Sequence, residues 1–366
     1  MKSGIYLVFA TLVLLASCKK TTPENPQVIT NRTVTTDTTF NASFFPKGDA
    51  FTGGDGTYSI VLPDGRSLWI FGDSFIGGVT AELTRTKTEP AYIRNCFIVL
   101  DEDSLKTLQQ GAPHEFKSMM IPPEVTAGKY SEHDFWYWPG DAFIENGNLK
   151  VFVSKFFQEK NTDMWAFQFQ GTELIEFSLP DLTVLRIDRF PESDSVHYGH
   201  AVLETDEYTY IYGLKKQFPY AARAKKGNVR SAWQFYTGKE WVSEAIKAQP
   251  MIRFTGSEQF SVFKWEETYI MIMQGGDLSR NIYSFTSTQP FGPWENQQLL
   301  YETPLPQGCD ACWTYNALAH PEFTTEDDLL LISYNTNSME MSDHYANATI
   351  YRPRFIRVPM EKILPK

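Results

Sequence analysis

Only 4 cysteines and 6 histidines occur in the 366 residues. Cys309 and Cys312 form a Cys-Asp-Ala-Cys pair, Cys18 lies near the N-terminus and Cys96 stands alone. A structural zinc site wants a second such pair, and none exists, so the reading is no metal and no cofactor. Cys309 and Cys312 are then either joined locally or both free, and Cys96 is a buried strand residue. Positive charge is also short: 33 lysines and arginines against 44 aspartates and glutamates leave a formal net charge of −11. A chain of that sign does not neutralise phosphates, which excludes nucleic acid as a partner and adsorption to anionic lipid as a membrane contact. No phosphate-binding loop, no Ser-His-Asp order and no helix with paired histidines is found. Long amphipathic helices are missing too, and an all-β chain remains.

The N-terminus sets the expected compartment. Lys2 precedes an apolar run over residues 5–16. That run is too short to span a bilayer and reads as a secretory signal. It ends in Leu15-Ala16-Ser17-Cys18, which resembles the bacterial lipoprotein cleavage box. The resemblance implies removal of residues 1–17, lipidation of Cys18 and residence in the cell envelope at the outer membrane. Acidic residues that would mark export to the surface do not follow the cysteine, so the periplasmic and surface faces both stay open. Residues 18–45 are rich in Thr, Asn and Pro and poor in large apolar side chains. They read as a flexible tether or a loosely docked strand. Residues 46–366 form the folded part, expected to be a monomer that meets the membrane through its lipid alone.

One hairpin pattern recurs five times in that part: DGTYSIVLPDGRSLWIFGDS, GDAFIENGNLKVFVSKF, GHAVLETDEYTYIYGLKK, EQFSVFKWEETYIMIMQGG and NALAHPEFTTEDDLLLISYNTNS. Each has a polar opening, a β-rich run, a turn and a second apolar run with a polar end. Further strand candidates between the copies bring each unit to about four strands. Repeating units of that kind predict a five-bladed β-propeller. In an antiparallel hairpin the start of the first strand and the end of the second lie at one end. The rule gathers a ring of polar residues at one mouth of the channel: Asp55 with Asp73, Asp141 with Lys155, His200 with Lys215, Glu258 or Gln259 with Gln274, and Asn316 or His320 with Asn335.

Two carboxylates close together cannot both ionise freely; one keeps its proton and the other stays charged. Glycoside hydrolysis uses such a pair. Asp55 and Asp73 are the expected catalytic pair, with Asp141 assisting. His200, Lys215, Gln274, His320, Asn335, Lys155 and Glu258 are the expected substrate ligands. Trp138 is a stacking platform for a sugar ring, in a chain that is 15% aromatic.

The stretches LPDGRSLWIFGDSF, ARAKKG, WQFYTGKEW, TSTQPFGPW and YNALAHPEF with LLLISYNTNS resemble a family of secreted five-bladed propellers. Many of these are Bacteroidetes domains of unknown function. They are distantly similar to the propeller glycoside hydrolases of families 43 and 32 and to propellers with endo-D-arabinanase activity. The resemblance implies action on a glycan. It also implies a catalytic aspartate at Asp55 and a second acidic residue at Asp141. The glutamate that family 43 carries on its third blade is missing: Tyr198 and His200 stand there, and Asp73 is the replacement acid. A non-catalytic glycan-binding lipoprotein and a purely structural propeller are the rival expectations.

Overall fold

The computed structural model describes residues 32–365 except 49, 87–90, 102–103, 112–114, 161–164, 191–192 and 277. The signal segment and Cys18 lie outside the described residues. The described chain is all-β with a few short helices.

Each of the five hairpins forms the first two strands of a sheet of its own. The first sheet holds Tyr58–Val61, Ser67–Phe71, Cys96–Asp101 and Ser104–Leu108. The second holds Phe135–Glu145, Asn148–Phe157, Gln168–Phe177 and Val184–Arg189. The third runs His197–Glu204, Tyr208–Lys215, Phe218–Lys225, Gln234–Tyr236 and Trp241–Val242. The fourth runs Gly256–Trp265, Thr268–Gly275, Asn281–Ser287 and Glu295–Glu302. The fifth runs Cys312–His320, Leu329–Ser338 and Arg352–Pro359, and ends on Thr35–Thr36 from the other end of the chain. Neighbouring strands pair antiparallel throughout, as short turns between successive strands require.

The turns explain themselves chemically. Pro63-Asp64-Gly65-Arg66 closes the first hairpin: Leu62 N–H donates to Arg66 O at 2.8 Å, and Gly65 takes φ 89°, where a side chain would be strained.

The apolar faces pack between successive sheets. Leu68, Ile70 and Phe97 of the first sheet meet Leu149, Val151 and Phe177 of the second. Phe152 and Leu174 meet Tyr198 and Ile211 of the third. Tyr212 meets Phe260 and Met271 of the fourth, and Ile270 and Ile272 meet Leu330 and Ile356 of the fifth. Leu331 and Phe355 of the fifth sheet then join Trp69 and Phe71 of the first. The first strands neighbour one another in the same order, and the fifth neighbours the first. Contacts therefore run from each sheet to the next and back to the start.

Two features depart from the sequence expectations. A sixth, three-stranded sheet of Phe51–Gly54, Ser74–Ile76 and Ala91–Ile93 extends the first hairpin beyond Asp55 and Asp73. The compact unit also begins at Thr33, inside the segment read as a tether. Thr35 and Thr36 pair with Arg357 and Ile356, and a helix follows over Thr38–Ser43. Thr-rich sequence shows no apolar alternation, but the edge of the fifth sheet supplies backbone partners whatever the side chains. Asp37 then caps the helix, accepting from Phe40 N–H at 2.8 Å, and its other oxygen accepts from Arg357 Nε at 2.6 Å. Phe40 and Phe44 pack their rings against Trp69 and Phe355.

Cys309 and Cys312 are joined in a disulfide, which settles the choice left open by their spacing. Cys96 is a buried free thiol on the first sheet, pushed up to about 12 by burial.

Candidate active site

A cavity of about 780 Å³ opens where the first strands begin and the second strands end. Four of the first strands break register there. Gly140 and Asp141 bulge opposite Phe152, and Gly199 and His200 bulge between Tyr198 and Ala201. Ser257, Glu258 and Gln259 bulge between Gly256 and Phe260, and Asn316 and Ala317 between Tyr315 and Leu318. A bulge turns side chains off the regular alternation and is common beside functional sites. On the first sheet, the break between Phe51–Gly54 and Tyr58–Val61 does the same for Asp55.

Asp55 and Asp73 both line this cavity. Asp55 N–H donates to Asp73 O at 3.3 Å, and Gly72 N–H donates to Asp55 O at 2.7 Å, so the two acids sit across one strand pair. The Asp55 carboxylate accepts from the Tyr315 hydroxyl. A side chain at Gly72 would bring a Cβ within 2.6 Å of Asp55 Oδ1, so glycine is needed for the approach. Burial, and then the neighbouring charge of Asp73, push Asp55 up to about 7 against the hydrogen bonds of Tyr315 and Tyr351. The Asp73 carboxylate accepts from three donors: Tyr92 Oη at 2.7 Å, Arg94 Nη1 at 3.3 Å and Trp138 Nε1 at 3.1 Å. One acid holds its proton near neutral pH, and the other is bonded as an acceptor at both oxygens.

Trp136, Trp138, Phe156, Phe167, Trp165 and Trp313 supply aromatic surface to the same cavity. Trp138 also packs against Phe156 and Phe167, with ring centroids 4.6 Å and 5.0 Å apart. Its ring is thereby fixed while its N–H is spent on Asp73.

The third and fourth sheets contribute His197, His200 and Glu258. Glu258 Oε1 lies 2.9 Å from His197 Nδ1 and 3.3 Å from His200 Nε2. Burial opposes its charge, but the two imidazoles outweigh it and hold the Glu258 carboxyl well below the usual range. Its side chain keeps 52% of its surface open to the cavity while protein surrounds the opening.

Of the ring read from the sequence, Asp55, Asp73, His200, Glu258, Gln259 and Asn316 meet in this cavity, with Trp138 beside them, and Asp141, Lys155, Lys215, Gln274, His320 and Asn335 do not line it. Asp141 lines a separate cavity of about 370 Å³ further along the first strands, with Glu204 and Glu322. Its oxygens accept from Ala142 N–H at 2.8 Å and Val202 N–H at 2.7 Å, tying the second sheet to the third. Burial pushes it up to about 7. Lys155 alternates to the other face of its strand and pairs with Glu124 at 2.5 Å and Glu173 at 3.4 Å. Lys215 pairs with Asp194 at 2.6 Å. Gln274 donates to Ser279 O and Thr314 Oγ1, and Asn335 accepts from Thr57 Oγ1 at 2.9 Å. His320 is fully buried between Ser59 Oγ at 2.6 Å and Ser333 Oγ at 2.8 Å, beside Trp69. Burial, with Arg357 adding to it, holds its imidazole down at about 3. These four polar residues, Lys155, Gln274, Asn335 and His320, are spent on protein partners.

Sequence reasoning missed Tyr92, Arg94, His197, Tyr315 and Tyr351. Tyr92 and Arg94 stand on and just after the last strand of the inserted sheet, outside the repeat. His197 sits three residues before His200, a spacing that points to opposite faces of a regular strand. Only the bulge undoes that.

An all-β chain of successive antiparallel sheets, with paired acids and tryptophans where the first strands begin, is the class that fold and site define. The chain belongs to the family described as Domain of unknown function (DUF5005), whose profile matches residues 37–360. Among solved structures it shares its fold with a Bacteroides ovatus protein provisionally described as a hydrolase. The TM-score is 0.77 at 24% identity, over 91% of this chain and 93% of that one. A glycoside hydrolase family 43 protein of Bacillus licheniformis matches at TM-score 0.49 and 11% identity, over 89% of this chain and 54% of that one. The catalytic domain of a Coprinopsis cinerea family 62 α-L-arabinofuranosidase matches at 0.48 and 12%, over 86% and 93%. No curated protein matches the chain.

Proposed function

We propose that the five repeated sheets are the blades of a five-bladed propeller and that the protein is a glycoside hydrolase. The observation that carries this is the chemical asymmetry of Asp55 and Asp73 in a cavity walled by tryptophans. Asp55, protonated near neutral pH, donates its proton to the leaving glycosidic oxygen. Asp73, whose carboxylate accepts from Tyr92, Arg94 and Trp138, attacks the anomeric carbon. Water then hydrolyses the glycosyl-enzyme with Asp55 as base, the two-step course of retaining enzymes. Trp138 and its aromatic neighbours stack on the sugar faces. Asp141 acts through the fold, since its oxygens are held by backbone donors of two sheets.

The volume of the cavity, about 780 Å³, and the pair of acids in its lining favour catalysis over the two rival expectations. A scaffold would have its channel mouth plugged by side chains, and a simple binding protein would show a shallow aromatic groove. The test is a screen of the purified chain against plant and microbial polysaccharides, arabinans included, with product analysis. Bond cleavage lost in Asp55→Asn supports the reading. Tight glycan binding without any cleavage would replace it with a binding protein.

The envelope location is part of the same proposal. Cys18 carries the lipid. Cys18→Ser should abolish labelling by a fatty-acid analogue and release the protein from the membrane fraction. Undiminished labelling would reject Cys18 as the anchor.

A further inference from the structure

We propose that His197, His200 and Glu258 bind one divalent ion of the zinc class, with open coordination positions facing the cavity. The inference stands apart from the glycosidase reading, because it uses none of the groups around Asp55 and Asp73.

The argument begins with the backbone. On an unbroken strand the side chains of His197 and His200 would leave opposite faces of the sheet. The bulge at Gly199 and His200 removes that alternation. Gly199 makes it possible: its φ is 100°, and an added Cβ would lie 2.5 Å from Phe152 Cβ. The fourth sheet bulges at the same level and brings Glu258 over to the two imidazoles. Two separate distortions thus converge on one point.

The ligand atoms fit an ion. His197 Nδ1, His200 Nε2 and a Glu258 carboxylate oxygen all lie within 4.8 Å of one another. Zinc holds nitrogen and oxygen ligands at about 2.0–2.2 Å, which puts tetrahedral neighbours about 3.4 Å apart. The observed separations from Glu258 Oε1 are 2.9 Å and 3.3 Å. A second observation points the same way. His200 is only 4% exposed; its Nδ1 makes no hydrogen bond, and its Nε2 has only the 3.3 Å contact with Glu258 Oε1, which does not meet hydrogen-bond geometry. A buried imidazole with poorly satisfied nitrogens is costly, and a metal bond to Nε2 would satisfy one of them. His197 is oriented by Phe169, whose ring is stacked on it at a centroid distance of 3.7 Å.

Two imidazoles and one carboxylate form an open ligand set, which leaves room for water or a substrate hydroxyl. A sugar hydroxyl bound there would be held in the cavity that also contains Asp55 and Asp73.

The experiment is zinc binding to the full chain after chelator treatment, read by calorimetry and elemental analysis, with Co²⁺ absorption as a second probe. One zinc per chain is expected, with visible d–d bands for Co²⁺. Glu258→Gln alters a cavity-facing side chain and should weaken zinc at least about tenfold. His197→Ala and His200→Ala should weaken it as much, with the CD spectrum checking their folds. Absence of saturable binding in the wild-type chain, or equal affinity in Glu258→Gln, would overturn the site. Zinc binding without glycan cleavage would sink only the glycosidase reading; cleavage by a chain that takes no metal would sink only this one.

Discussion

Asp55 is the residue on which most of the proposed chemistry turns. Its carboxyl is pushed from 3.8 up to about 7, by burial first and Asp73 second. As the proposed proton donor it must be protonated, so activity should fall as pH rises through about 7. Asp55→Asn and Asp73→Asn should each remove nearly all cleavage and spare glycan binding, whereas Asp141→Asn should be milder. The anomer first released, read by NMR, should be the retained one, because the two acids face each other across one strand pair. Stability gives an independent check. Below 3.8 the Asp55 side chain is neutral whether folded or not, and above about 7 it is charged in both states. Folding is thus penalised increasingly as pH rises between those values. Asparagine stays neutral throughout. The melting-temperature gain of Asp55→Asn over wild type should be larger at pH 8 than at pH 4. An equal difference at both pH values would mean that burial does not tax the Asp55 charge. The sequence exposed this pair because both acids flank one hairpin. It could not reveal Tyr92, Arg94 or Tyr315, whose places depend on contacts between sheets.

At the scale of strands, the hairpins were legible and their bulges were not. Five apolar runs with turn residues between them were enough to mark the first two strands of the five repeated sheets, because burial of alternating side chains decides which segments pair. The ring rule assumed regular alternation up to the strand ends. It failed for Lys155, which alternates into a salt bridge, and for Gln274, Asn335 and His320, which bridge buried polar groups. It missed His197 because a bulge reverses the face. Nothing in the local sequence announces a bulge except a glycine, and Gly199 is that glycine. Gly199→Ala should therefore cost about 1–3 kcal/mol, through its left-handed backbone and the clash with Phe152. It should also displace His200 and weaken zinc, while Gly147→Ala, at a turn with open space around it, should leave zinc affinity unchanged. Chemical denaturation and calorimetry on the two variants separate local strain from site geometry.

Over the whole molecule, the chain closes on itself by borrowing from its own N-terminal segment. Thr35 and Thr36 complete the fifth sheet, whose other strands come from the last part of the chain. The segment lacks apolar periodicity, which is why composition alone left it as a tether or a loosely docked strand. Its hold is chemical. Asp37 caps the helix and pairs with Arg357, their side chains only 9% and 13% exposed. Arg357 also donates to Leu329 O at 3.2 Å, so the cap is connected to the second strand of that sheet. Phe44 is 3% exposed in the cluster that joins the fifth sheet to the first. A buried aromatic side chain stabilises by about 1.5–3 kcal/mol, and removing one partner of a buried ion pair costs about 3–5 kcal/mol. Asp37→Ala should accordingly lower stability by about 2–4 kcal/mol, the remaining Arg357 bonds softening the loss. A chain shortened to begin at Thr33 should unfold as the full chain does. One shortened to begin at Phe44 loses the strand, the cap and the Phe40 contacts together, and should melt well below it. Equal melting of the two truncations would show that the fold holds without its borrowed strand.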